Sequence, residues 1–364
     1  MIDIDYHPKT PRDKSLGIGI IGAGEIVSEA HLPAYEMAGY NVVGIYNRSK
    51  ERSQQVAQRF NIPTVYDSID DLLADPKVDV VDIALPVEMQ SDIVQKIAIA
   101  GKHFLCQKPL GTDLNDAKKI ADLATSYNIK GAVNHQMRWA PSIQYVKQLV
   151  KRNLLGDLLD TNISVNVFTN WENWPWITEI PRLEVMYHSI HYLDALRYIC
   201  GMPKHVYAES AKWPGQVAAG ESRTMIHLRW NEDHWGGVRD NHNNISPDME
   251  DWWATFRFEG SKGTAKGTNG ALYNYPNGTN DTLSFFSEDI DKSTWITPSL
   301  QGTWFPDAFI GSMGELLSAI EEDREPENSV QDGVETIRLV EAVYTSMHEQ
   351  RKIQLVGDQS CPNE

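Results

Sequence analysis

The sequence predicts an α/β protein: a doubly wound parallel sheet at the N-terminus, then an α+β domain built on a largely antiparallel open sheet. Two observations carry this. Short apolar runs alternate with helical patterns through the first third of the chain, as right-handed β–α–β crossovers require. After about residue 140 strand-like segments follow one another with turns between them, the grammar of a sheet with reverse connections. The 364 residues are enough for two such domains, and the reading divides them at 1–138 and 139–364.

In the first domain LGIGII (16–21), YNVVGIY (40–46), VDVVDIAL (78–85) and HFLC (103–106) read as buried strands. Helical segments follow them, to about Met37, over 50–60, to Ala100 and over 113–127. Asp113 has the right chemistry and place to cap the last of these. In the second domain a helix over 141–153 leads into the alternating strand LLDTNISVNVF (158–168). A helix over 183–199 precedes HVYAESA, RTMIHLRW, DWWATFRFEG, GTAKGT and TLSFFS, each with strand character. Helices over 306–323 and 329–348 and the short strand KIQLV close the chain.

Composition excludes several classes. The net charge of −17, from 33 basic and 50 acidic residues, repels phosphate backbones and argues against a nucleic-acid partner. No run approaches the roughly 18 apolar residues of a membrane span, and the polar start MIDIDYHPKTPRDKS lacks the apolar core of a secretory signal. Three scattered cysteines, Cys106, Cys200 and Cys361, form neither a disulfide framework nor a zinc cluster. The cytoplasm is the simplest compartment.

The stretch IIGAGEIV (20–27) joins the first strand to the first helix. Gly22 permits a tight turn and Gly24 a close backbone approach, while Glu25 and Ile26 begin the helix whose N–H groups would meet a pyrophosphate. Val27 stands where such loops usually carry Gly or Ala, and the bland alternative is a turn with no ligand. The second strand ends in Asn47-Arg48, with Arg52 one turn later. An acidic residue there would hold a ribose 2′-hydroxyl; an amide flanked by two guanidinium groups tolerates a 2′-phosphate. That tilts the cofactor from NAD toward NADP, unless both arginines are simply solvated. Ligands of such sheets bind beyond the carboxyl ends of the strands, which adds Pro86, Gln107, Lys108 and Asn134 to the cofactor set. Lys108 is the residue to explain, since a lysine at the end of a buried strand is costly unless its ammonium group faces a cleft.

These motifs resemble those of the glucose–fructose oxidoreductase/inositol dehydrogenase/MocA (Gfo/Idh/MocA) family. The resemblance rests on GAGEIV, on Gln107-Lys108-Pro109 in place of Glu-Lys-Pro, and on HSIHYLDALRYICG (188–201). It continues through FEGSKGTAKG (258–267) and SVQDGVETIRLVEAVYTSMHEQRKIQL (329–355). It implies an N-terminal Rossmann domain, a C-terminal α/β domain whose sheet serves a homodimer or homotetramer, and NAD(P)-dependent chemistry on a carbinol of a sugar, polyol or related molecule. It also implies a catalytic lysine at Lys108 and a catalytic histidine at His191, followed by Asp194. The sequence departs from the family at Tyr187, in the place of an aspartate, at Gln107 and at Gln90, in the place of a histidine.

Oxidising a carbinol needs a base for the hydroxyl proton, and an imidazole with a reference pKa of about 6.5 suits that role. Glu184, Tyr187, His188 and His191 fall on one face of a regular helix, so Tyr187 can assist His191 while Lys108 stabilises the developing alkoxide. Otherwise His191 is a packed core histidine. Arg138 either binds a polar substrate group or braces a helix. Trp171, Trp174 and Trp176 offer rings to a sugar face or pack between subunits, and His188 contacts substrate or packs. A metal shared by His188 and His191 lacks a third ligand at sensible spacing, so none is expected. HWGGVRDNHNNISPD (234–248) reads as a solvated loop, with His234, Arg239 or His242 reaching substrate as the alternative. Two other functions fit the same residues: a cofactor-retaining glycosidase working by transient oxidation and elimination, and a non-catalytic dinucleotide sensor. Both catalytic positions being filled argues against the sensor.

Overall fold

The computed structural model describes residues 4–171, 175–246, 248–273 and 278–355. The chain forms two compact units. One comprises His7–Trp139 with Trp304–Ile337; the other comprises Met1–Tyr6, Ala140–Thr303 and Arg338–Glu364.

The first unit holds a six-stranded sheet. Its strands are β1 (Gly17–Ile21), β2 (Asn41–Tyr46), β3 (Thr64–Val65), β4 (Val80–Ile83), β5 (His103–Gln107) and β6 (Gly131–Asn134). They lie in the order β3-β2-β1-β4-β5-β6, and every pair is parallel. This is the Rossmann order, with its switch point between β1 and β4. All residues of β1 and β4 are buried; β1 reads as an unbroken apolar run, and β4 carries one polar residue, Asp82.

Local chemistry sets the helix starts. Ser49 caps Lys50–Arg59, Ser68 caps Ile69–Ala74, and Asp113 caps Leu114–Ser126 by accepting from the N–H groups of Asn115 and Asp116. The first helix behaves differently. Val27–His31 is a π-helical turn, and Leu32 N–H donates five residues back to Val27 O. Pro33 follows with no N–H to give, so the ordinary ladder resumes only beyond it. A late segment completes the core: Phe309, Met313, Leu316 and Leu317 of the helix Ala308–Glu321 pack with Leu32, Ala34 and Tyr35.

The second unit is a nine-stranded sheet covered by helices. Its strands are β7 (Leu158–Asn166), β8 (His205–Ala211), β9 (Arg223–Arg229), β10 (Trp235–Asn241), β11 (Trp253–Gly260), β12 (Gly263–Thr268), β13 (Thr282–Ser287), β14 (Asp291–Ile296) and β15 (Ile353–Gln354). The order is β14-β13-β12-β11-β7-β10-β9-β8-β15. All pairings are antiparallel except β10 with β7. Register aligns a row of buried side chains across five strands: Phe256, Ile163, Val238, Ile226 and Ala208. The helices Pro141–Lys151 and Ile190–Cys200 contact the sheet at β12, β7 and β10.

β10 corrects the reading of 234–248 as a solvated loop. Gly236 and Gly237 suggest a turn, yet they sit in a central strand because no side chain fits. A Cβ on either would stand 1.9 Å from a neighbouring carbonyl oxygen, that of Thr161 or Ile226.

Replacing Asp113 by Ala removes both cap bonds of Leu114–Ser126 and should lower stability by about 1 kcal/mol. Urea unfolding with an unchanged m-value would show it; an unaltered midpoint would mean the cap contributes nothing.

Candidate active site

The carboxyl edge of the parallel sheet gathers the residues assigned to a dinucleotide. Gly22 follows β1 with φ +118°, and a Cβ there would stand 2.4 Å from Ala84 O, so only glycine fits the turn. Its N–H donates to Tyr46 O, tying the end of β1 to the end of β2. At Gly24 a Cβ would meet nothing within 4 Å, so the loop stands open beside the helix start that begins with Glu25 and Ile26. This arrangement fits a pyrophosphate. Asn47 donates to Ser49 O, and Arg52 Nε donates 2.9 Å to Ala23 O, bracing the glycine loop. Arg48, Arg52 and Pro86 are exposed.

Lys108 follows β5 on a turn held by one side chain. Gln90, buried, donates through Nε2 to Gln107 O at 2.6 Å and to Pro109 O at 3.1 Å. Its Oε1 accepts from Gly111 N–H at 3.0 Å. The backbone on both sides of Lys108 is thereby fixed. Burial draws the lysine down to about 7 from its usual value.

Beneath this turn lies a polar chain. Asp82, fully buried, accepts from Tyr35 Oη at 2.8 Å and lies 2.7 Å from His31 Nδ1. With Nδ1–H given to Asp82, His31 Nε2 accepts from Gln107 Nε2 at 3.3 Å and from Asn134 Nδ2 at 3.2 Å. Gln107 Oε1 accepts from Lys108 N–H. Burial, then the Asp82 charge, pushes the Tyr35 phenol well above its usual range. Gln90 and His31 are the residues sequence reasoning undervalued. Gln90 stood out only as a departure from the family's histidine.

Two assignments change. Arg138 is not a substrate ligand: 1% exposed, it pairs with Asp332 and donates to Glu327 O at 2.8 Å. It braces the helix Val330–Glu349. Asn134, placed in the cofactor set from the sequence, is buried with its amide donated to His31, which also accepts from Gln107.

In the second unit Tyr187 and His188 lie on a π-helical turn, Val185–Ser189, which runs into Ile190–Cys200. This corrects the regular helix expected there. Tyr187 packs on a cluster of Trp171, Ile177, Leu183 and Ala218 and meets the exposed Trp176 edge-on at 5.9 Å. Trp171 is a core residue; Trp174 lies outside the described residues. His191 is buried in the first turn of the following helix. His188, half-buried, lies 3.3 Å from Glu184 Oε1, and Glu184 Oε1 lies 2.7 Å from His242 Nδ1. Buried Asp240 accepts from Ser189 Oγ; burial, then the charge of Glu184, pushes its carboxyl well above the usual carboxylate range. His234 packs flat on Trp230 and sits 3.0 Å from Thr161 Oγ1, and burial pulls it down to about 4. Its role is structural. Arg239 is exposed, over Trp253.

Lys108 should titrate apart from every surface lysine. In competitive labelling with acetic anhydride its reactivity should rise through pH 7 and level off by about pH 8, whereas surface lysines continue toward about 10.4. The unfolded chain keeps that proton up to about 10.4 and the folded chain only to about 7, so stability rises with pH between those values. Lys108→Met should therefore stabilise the fold more at pH 6 than at pH 10. A labelling midpoint near 10 would refute the depressed value.

Residues 16–135 match the model of an oxidoreductase family with an NAD-binding Rossmann fold, and residues 147–355 match the C-terminal α/β domain of the same family. An uncharacterized protein of Saccharomyces cerevisiae is 31% identical over 168 residues, 45% of this chain and 46% of that protein. D-apiose dehydrogenase of Paraburkholderia graminis is 24% identical over 344 residues, 92% of this chain and 88% of that enzyme. Apart from that enzyme, the chain spans about half the length of the curated relatives it matches. Among solved structures, an oxidoreductase from Agrobacterium radiobacter in complex with NAD+, L-tartaric acid and magnesium superposes with a TM-score of 0.82 at 22% identity, covering 93% of this chain and 98% of that one. A levoglucosan dehydrogenase in complex with NADH and levoglucosan gives 0.79 at 20% identity, covering 93% and 99%. The glycine turn, the lysine after β5 and both domain matches lead to one conclusion: the chain belongs to the Gfo/Idh/MocA oxidoreductase family.

Proposed function

We propose that this chain is an NAD(P)-dependent dehydrogenase or reductase acting on a CH–OH group of a sugar, polyol or sugar derivative. The observation that carries the reading is Lys108, an amine drawn to about 7 by burial on a turn that Gln90 immobilises at the carboxyl edge of the dinucleotide-binding sheet. The sugar dehydrogenases and reductases among its relatives, D-apiose dehydrogenase, a D-xylose 1-dehydrogenase and a 1,5-anhydro-D-fructose reductase, support the substrate class.

Gly22, Gly24, Glu25 and Ile26 would hold the cofactor's pyrophosphate, Asn47, Arg48 and Arg52 its adenosine ribose, and Pro86, Gln107 and Lys108 its nicotinamide end. The bound nicotinamide supplies the hydride acceptor or donor. His191 takes or returns the hydroxyl proton, and Tyr187 positions the imidazole or the substrate. Lys108 hydrogen-bonds the reacting oxygen, stabilising it as it becomes an alkoxide. His188 would contact the substrate. The exposed Arg48 and Arg52 support NADP over NAD. Exposed Tyr207, Met225 and Trp235 on β8, β9 and β10 support a homodimer or homotetramer joined through this sheet. The cysteines Cys106 and Cys200, both unbridged, suit a reducing cytoplasm.

A panel of aldoses, polyols and glycosides, assayed with NAD and NADP, tests this. His191→Asn and Lys108→Met should each lower kcat by roughly 10²–10⁴-fold, with melting temperature monitored alongside. Full activity in both variants would remove the mechanism. Glycoside cleavage without net change in nicotinamide absorbance would replace it with the glycosidase. The double variant Arg48→Ala, Arg52→Ala should raise KM for NADP and leave KM for NAD nearly unchanged; equal effects on both would cancel the NADP preference.

A further inference from the structure

Glu184, His188 and His242 come together although the last is far from the others in sequence. Glu184 precedes the π-helical turn, His188 lies within it, and His242 follows β10 directly. Their donor atoms all lie within 4.8 Å of one another. Glu184 Oε1 stands 2.7 Å from His242 Nδ1 and 3.3 Å from His188 Nδ1, and the two imidazole rings lie 4.1 Å apart.

The charges around these atoms do not balance. Glu184 is fully buried, and its Oε2 has no hydrogen-bond partner among the described residues. Asp240, also buried, brings a second carboxylate, with Oδ1 3.3 Å from His242 Nδ1. Two acidic groups in one buried site are costly to ionise together without a compensating cation. Ligand atoms about 2.0–2.2 Å from a tetrahedral ion stand roughly 3.3 Å apart. The Glu184–His188 separation already has that value, and the Glu184–His242 contact needs to open by about half an ångström.

We propose that Glu184, His188 and His242 form a binding site for a divalent transition-metal ion of the zinc class, with the buried Asp240 carboxyl behind it. Two imidazole nitrogens select Zn²⁺ or Co²⁺ over Mg²⁺, whose preferred ligands are oxygens. Three protein ligands leave a coordination position open, as catalytic rather than structural zinc sites do, and half-buried His188 places it on the accessible side. Water or a substrate oxygen would occupy it. His188 would then meet substrate through the ion, which deepens the role proposed for it above; the metal test itself needs no substrate.

Protein stripped with a chelator and returned to metal-free buffer is titrated with Co²⁺ and with Zn²⁺. The wild type should bind one equivalent, show visible Co²⁺ absorption bands that Zn²⁺ abolishes and Mg²⁺ does not, and melt at higher temperature with Zn²⁺. Glu184→Gln and His242→Ala should weaken Co²⁺ binding by more than about 100-fold, beyond the loss typical for outer-shell partners. His188→Ala, at a half-buried position, carries the same test if the buried variants fail to fold. Absence of Co²⁺ bands in the wild type would overturn the site, leaving a protonated His242 as the compensating cation. Bands that persist in all the folded variants would overturn it equally, as binding elsewhere on the chain.

Discussion

A buried amine at the end of a parallel strand is stable only where the backbone leaves it no way out. The Gln90 amide supplies that constraint at Lys108, donating to the carbonyls of residues 107 and 109 and accepting from the N–H of residue 111. One planar side chain satisfies two carbonyls and one N–H of this turn. This leaves the turn rigid without a ladder. The same geometry keeps the lysine in the surroundings that lower its proton affinity. A looser turn would let a four-carbon side chain swing its ammonium group into water, and the depressed value would vanish.

Both units place their special residues where a helix begins irregularly. The π-helical turn Val27–His31 follows the glycine loop, and Val185–Ser189 carries Tyr187 and His188. A π turn adds one residue to the ring closed by each backbone bond, so it shifts every later side chain around the axis. In the first unit the shifted turn delivers His31 to Asp82 beneath the sheet edge. In the second it carries Tyr187, which packs on the Trp171 cluster, and His188, which stays 3.3 Å from Glu184 Oε1. A regular helix read from the sequence lines up Glu184, Tyr187, His188 and His191 on one face; the wider turn breaks that alignment.

What the sequence made legible was local. The glycine turn, the Asp113 cap and the apolar strand β1 each depend on neighbours a few positions away. β10 was not legible, because Gly236 and Gly237 look like a turn until the carbonyls of Thr161 and Ile226 stand beside them. The strand also explains why His242, which follows it directly, is buried rather than left in water. Arg138 was open between a substrate ligand and a helix brace, and the brace is what forms. A cation near a strand end reads as a ligand for substrate, and its partner Asp332 lies 194 positions away. Among the site residues, Lys108 stood out because its cost could be judged from the strand before it. The contribution of Gln90 is made through backbone atoms, which no side-chain pattern records.

The departure from Glu-Lys-Pro at Gln107 follows from the same network. His31 gives Nδ1–H to a buried carboxylate, which leaves a lone pair on Nε2 facing Gln107 and Asn134. A residue at 107 must therefore donate toward His31 and accept from the N–H of Lys108, and an amide does both. A glutamate carboxylate would accept from the lysine N–H equally well but set an anionic oxygen against the imidazole lone pair. His31 would have to take a second proton to relieve that contact, leaving a cation between two acids beneath Lys108. Gln107 avoids that exchange, because its amide meets the imidazole lone pair and the lysine N–H at once.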